Sequence, residues 1–384
     1  MTVARDESLD LDTARARFEE SIDFTLAVEE EFAILDPETL DLSHGFESMF
    51  EDAQRNEILA DSVRGELIDT EIEIRSGRSE TFAEMVERQR ERRRLLFGLA
   101  SEHGRALGSC GTHPWADYLD QAIIDTPHYR RLRHELGWVA QRNNTWSLHV
   151  HVGVRGADRA VAVCDHLRNL LPTLLAVSAN STFLDATDTG LHSVRSQIFT
   201  RTFPRCGVHD PFGDWDAYAG FVDLLERTNS IVESTQLWWS VRPHHSFGTV
   251  EVRICDAQSD GDESFALAGL MIACVAQSAL DYDSGNLAPP LRAREIEENL
   301  WRAIRHGLDG RMIDFARGTE IPTMQAAEEL LEWTSPAREL LGIEEPSIGP
   351  NGAQRSREML EGGATIAEIY RAGVDLTADT FAAG

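Results

Sequence analysis

Three consecutive carboxylates, Glu29-Glu30-Glu31, interrupt an otherwise apolar run from Phe24 to Leu35 that Asp36-Pro37 closes. An apolar run bounded by a turn signal predicts a β-strand over about 23–35. Side chains alternate along a strand, so Glu29 and Glu31 share one face and Glu30 takes the other. Two like charges on one face of an apolar strand repel, and burying them without partners is costly. Such a strand is tolerable if that face is wet or if cations sit between the carboxylates. Hard divalent cations take oxygen ligands, which makes magnesium the natural partner.

Three further segments carry the same kind of pattern. Glu66 to Arg75 predicts a second strand, with Glu71 and Glu73 on the face of Asp69 and Glu66 on the opposite one. Ser147 to Val154 predicts a third, where His149 and His151 alternate with valines ahead of Gly153. Thr249 to Asp256 predicts a fourth, with Glu251 and Arg253 on one side and Val250, Val252 and Ile254 on the other. Each pattern alone has a plain structural explanation: a charged edge strand, satisfied histidines, or an in-strand ion pair. Together they describe a sheet with one apolar face on helices and one acidic face carrying His and Arg, a metal-lined trough. Carboxylates and imidazole without a cysteine ligand favour magnesium or manganese over zinc.

Between the strands the spacing predicts helices. Ser79 to about Leu107 keeps Phe82, Met85, Val86, Leu95, Leu96 and Leu99 at helical intervals. Its run Arg92-Arg93-Arg94 is expected to be a solvated face. A short strand is expected over Ala106 to Thr112, and helices over Asp158 to Ser178 and Ser264 to Leu280. Helices dominate from about 292 onward. Strands interspersed with long helices, without strict βαβ alternation, predict an α+β fold with a mainly antiparallel sheet.

Composition narrows the chemistry. Of 384 residues 42% are hydrophobic, enough for a sizeable core, and the net charge of -29 argues against nucleic-acid or anionic-membrane partners. Anionic small ligands stay admissible, because arginines and metal ions reverse the sign inside a cleft. All 36 basic residues counted as Lys+Arg are arginine. That excludes a lysine Schiff base and a Walker-type P-loop, so phosphate must be met by arginine, metal or backbone N–H groups. The five cysteines (Cys110, Cys164, Cys206, Cys255 and Cys274) form no C-x-x-C, which fits a reduced compartment. Met1 to Glu20 has no apolar core of a signal peptide, and no run reaches the ~18 apolar residues of a membrane span. The expectation is a soluble, cytoplasmic protein.

The segments Val28–Phe32, His149–Gly153, Ser178-Ala179-Asn180-Ser181 with Asp188-Thr189-Gly190, Arg242-Pro243-His244 and Gly248–Arg253 resemble, in order and spacing, the type 2 glutamate–cysteine ligase family. This family includes carboxylate–amine ligases of bacteria and archaea, and the resemblance runs from about Asp23 to Gly318. It implies a glutamine-synthetase-like curved, mainly antiparallel sheet with helices packed on its apolar face. It also implies ATP-dependent activation of a side-chain carboxylate to an acyl phosphate, which an amine then attacks. On this basis residues 1–22 form a polar N-terminal segment, and 23–384 form a single catalytic domain whose C-terminal part is helical from about 292.

The resemblance further implies roles. Glu29 and Glu31 split between two magnesium sites. His149 and Glu251 join Glu29 near the ATP phosphates, and Glu71 or Glu73 joins Glu31 near the amino-acid carboxylate. The segment Ile72–Gly77 departs here from the family's usual Ile-Glu-Ile/Val-Asn-Thr. Arg253 stabilises the transferring phosphoryl group, and His151 hydrogen-bonds substrate or phosphate. Arg195 and Arg242 clamp carboxylates, and Asn180 either caps the preceding helix or lines the site. Trp146, Trp238 and Trp239 are expected to pack in the core, with bounding of the nucleotide pocket as the alternative. The implied substrates are ATP, L-glutamate and L-cysteine or another amine, with Mg2+ or Mn2+ as cofactor. Neither nucleic acid nor membrane is an expected partner, and the size admits a homodimer without fixing the oligomeric state. The alternatives are a guanidino-kinase-type phosphotransferase and a non-enzymatic metal- or nucleotide-binding relative.

Overall fold

The computed structural model describes residues 10–382; the first nine residues of the polar N-terminal segment lie outside them. Helix α1 (Leu11–Glu20) starts at Asp10, whose side chain accepts from the Thr13 N–H at 2.9 Å. It buries Ala14 and Phe18 in the main core, so this part of the polar segment packs on the rest of the molecule.

A seven-stranded sheet organises the chain. Its strands are β1 (Leu26–Leu35), β2 (Val63–Arg64), β3 (Glu71–Arg75), β4 (Ala106–Gly108), β5 (Ser147–Gly153), β6 (Val241–His244) and β7 (Thr249–Asp256). The order is β2-β3-β1-β5-β7-β6, every pairing is antiparallel, and β4 pairs with the far end of β1. β1 is therefore central, with β3 on one side and β5 on the other. Its register sets Glu31 opposite Glu73 and Glu29 opposite His149.

Alternation then sorts the sheet into two faces. Val28, Val150, Val152, Val250 and Val252 are fully buried on the face covered by helices. That layer contains α2 (Phe82–Glu102), α4 (Ala157–Leu167), α5 (Leu171–Ser178), α6 (Gly261–Ser284) and α9 (Ile366–Phe381). Two more helices, α7 (Ala293–His306) and α8 (Thr323–Leu341), add the outer C-terminal layer. The opposite face is overhung by α3 (Pro127–Leu136) and by the loop that carries Glu233 and Trp238.

Several expectations change in detail. The second acidic strand is not one strand over 66–75: residues between β2 and β3 leave the sheet, so the period of two does not govern Glu66. The helix expected to reach Leu107 stops at Glu102, because Gly104 turns the chain at φ 63°. The helix expected over 158–178 is two helices bent by 61°, with Pro172 in the first turn of the second. A hairpin, Arg311–Asp314 with Thr319–Pro322, interrupts the helical C-terminal part. Helix α6 has the length and mean hydropathy of a membrane span although polar residues interrupt its apolar run, because Leu267, Leu270, Ile272 and Val275 carry the average; 83% of its most apolar window is buried inside the protein.

The arginine run of α2 is not uniformly solvated either. Arg94 is exposed and Arg92 half-buried, but Arg93 is 2% exposed and reaches the back of β1. Beside it Phe32 of β1 is fully buried and meets Phe97 and Phe381 edge-on, at 5.4 and 5.3 Å. Phe32→Ala removes the ring that joins β1 to α2 and α9. The expected cost is about 3–5 kcal/mol, read as a lower urea midpoint with an unchanged slope.

Candidate active site

On the open face the strands enclose a trough of about 380 Å³ lined by Glu29, Glu31, Glu66, Glu73, His149, His151, Glu251 and Arg253, among others. Three groups of side chains each bring their ligand atoms within 4.8 Å of one another: Glu29–His151–Glu251, Glu29–Glu73–His149 and Glu31–Glu66–Glu73. His151 Nε2 lies 3.3 Å from Glu29 Oε1 and 3.9 Å from Glu251 Oε1. His149 Nδ1 lies 3.5 Å from Glu29, and its Nε2 lies 3.8 Å from Glu31. The sorting differs from the expected one. It is His151 that groups with Glu29 and Glu251, while His149 sits between Glu29 and Glu73. Of Glu71 and Glu73, only Glu73 belongs to these groups; Glu71 is buried outside the trough lining, and its Oε2 has no partner.

Glu66 is the residue that sequence parity misplaced. Because the chain leaves the sheet after Arg64, Glu66 swings over to Glu31 and Glu73. Arg75 was also missed as a site residue. Its Nε lies 3.1 Å from Glu29 and pairs with Glu73.

The two ends of the trough differ in charge balance. At one end burial pushes Glu29 up, but His151 and Arg75 outweigh it and hold the carboxyl well below its usual range. Burial likewise acts on Glu251, and Arg242 and Arg253 outweigh it. At the other end burial and the neighbouring Glu73 push Glu31 up to about 7. Burial and mutual repulsion raise Glu66 and Glu71 well above the usual range, and Glu73 rises despite Arg75. This end has more carboxylate than its arginines compensate. Burial and Arg253 depress His149 to about 3, so its imidazole is neutral and able to ligate. His151 Nε2 is buried without a hydrogen-bond partner, as is Glu71 Oε2. Burial pushes His151 down, but Glu29 and Glu251 outweigh it and raise it, so His151 would ligate by giving up a proton. Clustered carboxylate oxygens and the neutral His149 imidazole fit hard divalent cations.

The arginines divide by role. Arg253 pairs with Glu251, and its Nη1 lies 3.4 Å from His149 Nδ1 inside the trough. Arg242 Nε donates to Glu251 at 2.6 Å while its Nη1 donates to the Thr235 carbonyl at 3.1 Å. Arg195 is not poised as a carboxylate clamp. Its two terminal nitrogens donate to the carbonyls of Ile254 and Arg253 at 3.0 and 3.3 Å. Those carbonyls belong to the irregularity where β5–β7 pairing shifts register, so Arg195 steadies the bulge that carries Arg253. Asn180 also lies off the trough: its N–H donates to Asp256 at 2.9 Å, and its amide to Ala257 and Ser259. Ser181 and Ser193 converge on the same fully buried Asp256, which makes these loop motifs a latch behind the site.

Trp146 and Trp239 are buried in hydrophobic clusters, whereas Trp238 lines the trough with Phe203, Leu132 and Leu136. A second cavity of about 430 Å³ opens at Glu29, Arg75 and His151 and is walled by Ile22, Leu26 and Phe247. Phe247 is 56% exposed and stacks on His244 at 4.5 Å with an interplanar angle of 9°. The signal for this platform, an aromatic in the turn His244–Gly248, was present in the sequence.

The raised carboxyls make a pH prediction. A group protonated more readily in the folded chain stabilises it below its unfolded value near 4.5 and loses that contribution as pH rises through its folded value. The metal-free protein is therefore expected to lose stability between about pH 4.5 and 7, the window of Glu31. Mn2+ should restore it and release protons at pH 6.5. Thermal unfolding across that range, and calorimetry in buffers of different ionisation heat, check both.

A match to the family described as "Glutamate-cysteine ligase family 2" spans residues 25–372. "Putative glutamate--cysteine ligase 2-2" of Rubrobacter xylanophilus is 38% identical over 349 residues, covering 90% of each chain. A protein of Sorangium cellulosum named "Putative glutamate--cysteine ligase 2" is 38% identical over 319 residues, 83% of this chain and 85% of that one. Among solved structures, a bifunctional glutathione synthetase from Pasteurella multocida aligns with a TM-score of 0.68 at 11% identity, over 96% of this chain and 54% of that one. A glutamate–cysteine ligase from Francisella tularensis, in complex with AMP, aligns at 0.65 and 12% identity, over 94% and 90%. At those identities the likeness to solved structures is one of fold. With the sequence match covering nearly the whole chain, the protein belongs to glutamate–cysteine ligase family 2, carboxylate–amine ligases built on a glutamine-synthetase-like sheet.

Proposed function

We propose that the chain is an ATP- and magnesium-dependent ligase that joins the γ-carboxylate of L-glutamate to the amine of L-cysteine. The observation that carries this reading is the convergence of Glu29–His151–Glu251 and Glu31–Glu66–Glu73 beside Arg253 in one trough. Amide formation in water is uphill, so a leaving group must be installed. The terminal phosphoryl of ATP passes to a carboxylate oxygen, giving an acyl phosphate and ADP. The amine nitrogen then attacks the acyl carbon, and the C–O bond to phosphate breaks.

The residues support each demand of that sequence. Glu29, His151 and Glu251 would hold one divalent ion, and Glu31, Glu66 and Glu73 another. Such ions neutralise phosphate charge and polarise the phosphoryl group. Arg253, placed at His149 and Glu251, is a fixed positive charge for the transferring group. The apolar cavity at Phe247 suits a nucleotide base, with the exposed ring as its stacking surface. Tyr129, Leu132 and Leu136 of α3 shield the far end, where an acyl phosphate must be kept from water. The apolar wall of Leu132, Leu136, Phe203 and Trp238 favours a second reading in which a bulkier amine replaces cysteine.

Phosphate release from ATP with Mg2+ and glutamate, tested with each amino acid and amine in turn, decides between these readings. Release with cysteine and a γ-glutamylcysteine mass is the expected result. Release only with another amine supports the second reading. No release with any pair sinks the ligase assignment. Glu31→Gln supplies a sharper check. It should keep or raise the metal-free melting temperature, because it removes a carboxylate that burial disfavours, yet lower kcat by more than about a hundredfold.

A further inference from the structure

Glu30, between the two trough-facing glutamates of β1, points to the helix side and is itself 3% exposed. Arg93 meets it with two prongs, Nε donating to Oε2 at 2.7 Å and Nη2 to Oε1. Gln89 Nε2 donates to Oε2 at 2.9 Å, and Ser264 Oγ, in the first turn of α6, donates to Oε1. Arg93 Nη1 donates to the Gly261 carbonyl at 3.0 Å. The guanidinium also lies against two rings, 3.6 Å from the centroid of Phe265 and 4.3 Å from that of Phe381. Helices α2, α6 and α9 thus converge on one charge pair directly behind the metal-facing strand.

Stability does not account for this arrangement. A buried ion pair is commonly no better than well-packed apolar residues of the same volume. The neighbours of Glu30 on this face, Val28, Phe32 and Ile34, are apolar and fully buried, so an apolar pair would continue their pattern. What an ion pair adds is direction. A bidentate fork fixes the plane of the carboxylate, whereas a leucine leaves the strand free to shift against its helices. Glu30 lies in register with Ile74 and Leu148, on the strands that bring Glu73 and His149. Gln89 spans Glu30 and the Ile74 carbonyl, the latter at 3.4 Å, and so ties β3 into the same contact.

We propose that Glu30 and Arg93 are a positioning pair, which holds β1 so that Glu29 and Glu31 keep their metal-binding separation, with Phe381 of the last helix as its backstop. This inference rests on the reading of the trough as a metal site. Outer-sphere supports of metal ligands act in the same way, and their loss weakens metal affinity by about 10–100-fold.

The test is calorimetric titration of the full chain with Mn2+ alone, paired with thermal unfolding, for the wild type, Glu30→Leu with Arg93→Met, and Arg93→Lys. The double variant replaces the pair by apolar residues of similar size. It is expected to melt within a few degrees of the wild type while binding Mn2+ at least about tenfold more weakly. If the double variant binds Mn2+ as the wild type does, the pair is only structural and the proposal is overturned. If the double variant does not fold, Arg93→Lys decides, since it keeps the charge but not the fork. A folded Arg93→Lys protein with weakened Mn2+ binding supports the proposal, and one with wild-type affinity overturns it. A wild type that binds no Mn2+ would overturn the metal reading of the trough itself, a failure distinct from that of the pair.

Discussion

The structure depends on how a protein keeps six carboxylates together at a buried sheet face. Glu29, Glu31, Glu66, Glu71, Glu73 and Glu251 crowd the trough and the floor beneath it. Two charges at 4 Å interact by about 4 kcal/mol at the effective dielectric of a partly buried site, so a few uncompensated pairs rival the whole stability of a domain. The chain answers unevenly. Arginines and a histidine from neighbouring strands outweigh the cost of burying Glu29 and Glu251. Glu31, Glu66, Glu71 and Glu73 share too little positive charge, and their carboxyls are driven toward the neutral form. A site that is poorly solvated and short of cations spends its repulsion when a cation enters, and folded-state strain becomes binding affinity.

Such a site works only on a scaffold that does not relax. β1 is a good choice of carrier because it is paired on both edges, to β3 and β5, and at its far end to β4 as well. Its helix-facing side chains are immobilised by Phe97, Phe381 and the Arg93 fork. The arginine on the neighbouring bulge follows the same logic: Arg195 satisfies the carbonyls that the register shift leaves open, which keeps Arg253 aimed. The residues that touch the trough are thus backed by arginines that hydrogen-bond the strands carrying them.

Much of this was legible in the sequence where period two holds, along β1, along β5 and along β7 as far as the bulge at Arg253 and Ile254. The boundaries of β7 match the expectation over Thr249 to Asp256, and β5 and β1 differ from theirs by one to three residues. Alternation therefore put Glu29, Glu31, His149, His151, Glu251 and Arg253 on one face. It failed at Glu66, because a strand assumed to be continuous is broken between Arg64 and Glu71, and a break resets parity. It also failed at Arg93. Three adjacent arginines on a helix look alike in sequence, but at 100° per residue only one of them faces the sheet, and which one depends on where Glu30 lies. The roles suggested for Arg195 and Asn180 fall to the same limit. A motif names residues near a site, not whether a side chain points into it or holds the backbone behind it.

The absence of lysine gives this site a particular character. Every permanent cation in the trough is an arginine, whose guanidinium does not lose its proton in proteins and reaches carboxylates as a planar fork. A lysine in the place of Arg75 or Arg253 could answer the crowded carboxylates by changing its own protonation or by swinging its single ammonium to another partner. Arginine does neither, so the positive charge of the site is fixed in amount and nearly fixed in place. Adjustment then falls on the carboxylates and on His151, which burial pushes down and Glu29 and Glu251 raise. On the proposed metal reading, the trough would exchange protons for metal ions around arginines whose charge pH does not alter.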